Sequence, residues 1–148
     1  MSLSQGTMVP IYTVTVGAGG QSAIQFNNIP QTYTDLIIML SVRETLALGS
    51  TRYTDIPITI NGQTSASGKV IYSNDGSTAN SYPPSSAPVT ANGGNSTTST
   101  FSNVSIYIPN YTSTGVKSIS ADSVAENNAT AAFLAINAFN ITNGAAIN

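Results

Sequence analysis

The chain contains no histidine, no cysteine and no tryptophan, and only 7% of its 148 residues are charged. Without histidine it lacks the commonest general base and the commonest zinc ligand. Without cysteine it has neither disulfides nor thiolate metal ligands. A metal site would have to be built from carboxylates and carbonyls, a donor set that suits calcium. The one candidate turn, Asn74-Asp75-Gly76-Ser77, has a single carboxylate and reads as an ordinary Asp-Gly turn. The acidic residues Asp35, Glu44, Asp55, Asp75, Asp122 and Glu126 are scattered. Acid–base chemistry of the glycosidase kind needs two of them about 5–9 Å apart. No enzymatic activity, catalytic residue, metal ligand or cofactor is therefore expected.

Four basic residues, Arg43, Arg52, Lys69 and Lys117, and a net charge of −2 argue against nucleic acid, since phosphate binding draws its affinity from clustered Lys and Arg. Both lysines read as ordinary surface residues. No apolar run approaches the roughly 20 residues that span a bilayer, so no membrane partner is expected. Residues 1–10 lack the basic and apolar regions of a secretory signal.

What the chain does have is period-2 alternation and β-branched residues, with no sustained helical stripe. The reading is all-β: one antiparallel sandwich of the jelly-roll kind over residues 11–148, with about eight short strands and an N-terminal arm over 1–10. Ile11–Val16 and Ala23–Phe26, joined by Gly17-Ala18-Gly19-Gly20-Gln21-Ser22, read as a first hairpin. Asp35–Arg43 is apolar on both faces, which suggests a central strand with Ile37 and Met39 under a loop or against another subunit. Further strands are expected at 56–60, 69–72, 101–108, 116–125 and 131–141.

Residues 73–100 read as one long polar loop, which must be ordered by packing on the domain or on a neighbour. Tyr82, Pro83 and Pro84 are its natural anchor, with Val89 as its other sizeable apolar side chain. Five Asn-x-Ser/Thr sequons, at Asn95, Asn103, Asn110, Asn128 and Asn140, are unsurprising in a chain so rich in these residue types.

The pattern Ile24-x-Phe26-x-x-Ile29-Pro30-x-Thr32-Tyr33-x-x-Leu36-x-Ile38, closed by Arg43, resembles small virion proteins of tailed bacteriophages, and "ITINGQ" at 58–63 resembles their next landmark. The resemblance covers residues 10–72. It implies a structural corner in which Pro30 holds Ile29 extended, Ile29 and Tyr33 plug the end of the sandwich, and Asp35 accepts backbone hydrogen bonds. It also implies a multi-copy or homo-oligomeric protein on the virion, on the head surface in preference to the tail. There it would decorate or cement the shell through contacts with the major capsid protein or other virion proteins. Relatives in that family continue into a further hairpin, so an unpaired edge filled by a neighbouring chain is expected here. The rival reading is a tail fibre, tailspike or baseplate module that binds host glycan through Tyr82, Tyr53, Asn92 and Asn95.

Overall fold

A computed structural model describes residues 8–45, 53–64, 66–126, 132–142 and 144–148. Eight strands form two antiparallel sheets: β1 (Leu36–Val42), β2 (Tyr53–Ile58), β3 (Ser67–Ser73), β4 (Asn80–Tyr82), β5 (Ala87–Asn92), β6 (Ser102–Ile108), β7 (Lys117–Glu126) and β8 (Ala132–Ile141). One sheet has the order β1-β6-β7-β8-β3-β4, and the other is the β2-β5 pair.

Strict alternation places the core. On β7, Ile119, Ala121 and Ala125 point inward, as do Phe133, Ala135 and Phe139 on β8 and Val104, Ile106 and Ile108 on β6. This inner face is covered by β5, whose six residues are all buried. Small residues on β7 and β8 let β5 sit close, and Ser123 Oγ accepts the Thr90 amide of β5 at 3.2 Å. A second cluster, around Val70, Ala125, Phe133 and Ala135, is closed by Tyr53, Tyr72 and Tyr82. Tyr53 stacks on Phe133 at 4.1 Å between centroids, and Tyr72 meets Tyr82 edge-on at 5.8 Å.

The all-β sandwich is as the sequence implies, but two elements exchange roles. Residues 11–16 and 23–26 are not strands; Gly20 N–H bonds to Gly17 O at 3.0 Å, so the turn forms without a ladder beside it. Conversely, the expected polar loop 73–100 contains β4 and β5. β5 was hidden because "APVTAN" carries little hydrophobic signal of its own. It is buried because β2 pairs along one edge while β7 lies beneath it. Strand β1 is an edge and not central, since it pairs only with β6. The expected arm over 1–10 falls mostly outside the described residues.

Candidate functional site

Three polar constructions account for the shape of the surface. The first is the corner before β1. Asp35 Oδ1 accepts the Asn110 amide at 2.7 Å and Oδ2 accepts the Tyr107 hydroxyl at 2.9 Å, tying the start of β1 to the turn after β6. The second bond holds the Tyr107 phenol above its ordinary pKa. Tyr111, fully buried, donates its hydroxyl to Pro30 O, and its amide reaches Thr34 O at 3.3 Å. Asn28 takes a left-handed φ of 56°, which turns the chain into the corner.

Ile29 packs on the core as expected, and Asp35 has its anticipated role. Tyr33 does not plug the sandwich: it is exposed, as is Thr32. Tyr111 fills that place, because its ring enters the core from the β6–β7 loop while its hydroxyl finds a carbonyl. No local pattern marks it in the sequence.

The second construction orders residues 93–100. The Arg43 guanidinium donates to the carbonyls of Thr97 at 2.6 Å, Thr100 at 3.2 Å, Gly94 at 3.1 Å and Ser96 at 2.9 Å. The Glu126 carboxylate accepts the Thr97 amide and the hydroxyls of Thr97 and Thr100. Asn92, fully buried, accepts the Glu126 amide and donates to Thr100 Oγ1. A planar five-donor fork suits such a ring of carbonyls.

The third buries Lys117. Its ammonium donates to the carbonyls of Ser113 and Gly115 and to Ser113 Oγ, and burial pushes its pKa down. The surface reading is corrected here: Lys117 closes the β6–β7 loop from within. Lys69 is exposed, as read.

The outer face of the six-stranded sheet stays uncovered by any described residue. Register aligns Ile37, Tyr107, Ser120, Ala138 and Lys69 in one row, and Met39, Ser105, Asp122, Ile136 and Ile71 in the next. Met39 is 74% exposed, Ile136 57% and Ile37 47%. Val124 and Leu134 extend the apolar area. Five strands about 4.8 Å apart and about seven residues long present roughly 500 Å². Lys69, Ser105, Ser120 and Asp122 interrupt this face, and its apolar part is of the size of the largest patch on an ordinary monomer, which is often functional.

The other interface candidates divide. Val89 is buried in the core and touches no solvent, because β5 is an inner strand. Tyr82, half-buried, lines an open cleft of about 260 Å³ with Asp55, Pro57, Pro84 and Pro88. Pro83 is exposed beside it. The Tyr82 hydroxyl donates to Asp55 Oδ2 at 3.3 Å, and burial together with that carboxylate pushes the phenol up to about 12. Tyr53 stacks below, whereas Asn92 is buried within the Arg43 clamp, so the four-residue sugar platform is not assembled.

Among the described residues no group of three or more His, Cys, Asp or Glu side chains is placed to hold a metal ion. Among the described residues no helix is long and apolar enough to cross a membrane. No known family model, curated protein or solved structure matches the chain.

Proposed function

We propose that this protein is a non-enzymatic structural component of a tailed-phage virion, a decoration or cement protein that stabilises the shell by protein–protein contact. The observation that carries this reading is the uncovered outer face of the six-stranded sheet, with Ile37, Met39, Ile71, Val124, Leu134 and Ile136 in solvent. Burying such a face against a capsid subunit removes about 500 Å² from each partner, roughly 1,000 Å² in total, at the small end of specific interfaces, which suits a contact repeated in many copies. The Ile29-Pro30-x-Thr32-Tyr33 corner supplies the family resemblance. Four charged groups, Asp35, Arg43, Lys117 and Glu126, are committed to structural hydrogen bonds, which suits a scaffold more than a reaction centre.

Immunogold electron microscopy of virions, with one antibody against residues 73–78 and one against the exposed Asn61-Gly62 turn, tests this. Label distributed over heads, and reduced heat resistance of particles depleted of the protein, are expected. Label restricted to the tail tip would overturn the decoration reading.

One observation favours a second reading, in which the chain is a tail module that binds glycan. The Tyr82–Asp55 cleft combines an aromatic ring with a carboxylate acceptor, the pairing that sugar rings and hydroxyls need. Glycan-array binding lost in Tyr82→Ala would support it.

A further inference from the structure

The 34 residues before Asp35 contain no charged side chain. Within them, Ile11 and Ile29 are both packed on the core, and the chain between leaves the domain as a two-legged excursion. Its ends are drawn together where Tyr12 donates to Asn27 O at 2.7 Å and its ring lies 6.2 Å from that of Phe26. The legs have strand composition, yet among the described residues 11–26 make one backbone–backbone hydrogen bond within the arm, at the Gly17–Gly20 turn. Tyr12, Val14, Val16 and Ile24 are 38–49% exposed. Here is a hairpin without a ladder.

Sheet edges are ordinarily blunted by charge, proline, shortness or cover. Three of the four edge strands obey this. β4 has three residues and runs into Pro83-Pro84, β2 carries Asp55 and Pro57, and β5 carries Pro88 and gives its Thr90 amide to Ser123. Strand β1, "LIIMLSV", has neither a charge nor a proline. Away from β6, the backbone of Leu36–Ser41 meets no partner among the described residues. Among the described residues the molecule thus has an uncharged arm of β-forming chain outside every ladder and one unprotected strand edge of matching length.

We propose that the arm of residues 11–26 pairs with the β1 edge of a second copy of this chain, and that the second copy returns the contact. The corner explains why the partner is another copy. Tyr111 on Pro30 O and Thr34 O, Gln31 on Ile147 O at 2.7 Å, and Asp35 on Asn110 hold the chain between arm and β1 in place. The arm beyond is left without a backbone bond to its own β1. A reciprocal exchange of arm and edge engages roughly 20 residues a side, the size of a stable interface. It also widens the outer face without covering it, so it is compatible with either reading of the function.

The test is sedimentation velocity with amide hydrogen exchange on the full chain, from micromolar to submillimolar concentration. A self-associating species is expected, with amides of 12–16, 23–26 and Ile37–Ser41 slowing together by at least about tenfold as concentration rises. Val14→Pro with Ile24→Pro is expected to abolish association and leave the thermal transition unchanged, since those amides bond nothing among the described residues. A chain that stays monomeric at every concentration overturns the proposal. So does an oligomer that survives the double variant, which would place the interface on the outer face. Protection of the arm that is independent of concentration also overturns it, because the arm would then lie on its own β1. Should the double variant not fold, the concentration dependence of exchange in the unmodified chain decides alone.

Discussion

Asp35 and Asn110, 75 residues apart in sequence, are joined by a 2.7 Å bond from the Asn110 amide to the Asp35 carboxylate. That bond fixes the first residue before β1 to the turn that follows its partner strand β6. Asp35→Ala is expected to cost about 1–2 kcal/mol, the usual cost of unmaking hydrogen bonds to a charged acceptor. Urea unfolding measures it. The same change should bring the Tyr107 phenol back down toward its ordinary pKa. Because folding raises that pKa, the associated stability is present below pH 10 and lost above it, and Asp35→Ala should flatten this alkaline loss.

Arg43→Lys tests the clamp on residues 93–100. A lysine keeps the charge but cannot reach four carbonyls in one plane. A loss of about 2 kcal/mol is expected, with faster amide exchange confined to 93–100 and the neighbouring end of β7. Uniform loosening of the whole chain would contradict a local clamp.

Asn137 is buried on β8, and neither its amide nitrogen nor its oxygen has a partner. An unsatisfied polar group in a core costs about 1–3 kcal/mol. Asn137→Leu, similar in volume, is expected to raise stability by about 1 kcal/mol. An unchanged or lowered thermal midpoint would mean that the amide has a role in folding.

Gly68 is close to the β8 backbone: a Cβ placed there would stand 2.1 Å from Ala138 O and 2.6 Å from Phe139 Cα. Gly68→Ala must move β3 away from β8 and is expected to destabilise by about 2–3 kcal/mol. Loss of the Tyr72–Phe133 contact in near-ultraviolet dichroism would accompany it.

Asp75 is held at a pKa of about 2 by the Ser77 and Thr78 amides and by Ser73 Oγ. Folding lowers this pKa, so its contribution is present above about pH 4 and disappears as pH falls toward 2. Carboxylate resonances followed by NMR should place the midpoint near 2, with the turn at 73–78 loosening in the same window. A midpoint near 4 would contradict the geometry.

The sequence by itself determined the fold class and most strands. β6 alternates, and an alternation that buries one face admits only one register; β7 alternates weakly and β8 is apolar nearly throughout, so packing decided which of their faces is buried. The sequence also determined the turn at Asp75, which is local chemistry, whereas the Asp35 corner closes only through Tyr107 and Asn110, more than 70 residues away. Tertiary structure alone decided the rest. "APVTAN" became an inner strand because β2 and β7 enclose it, whereas "IYTVTV", with far stronger β character, lies outside every ladder because no strand among the described residues pairs with it. Tyr111 and Asn92 are buried because groups distant in sequence meet them there, and Lys117 because the fold encloses it while the loop just before it turns its carbonyls onto the ammonium. Strand β1 looks central by composition and is an edge by topology. Residue type reports how well a segment suits a strand, but pairing is a relation between segments, and only the assembled chain shows which edges remain open.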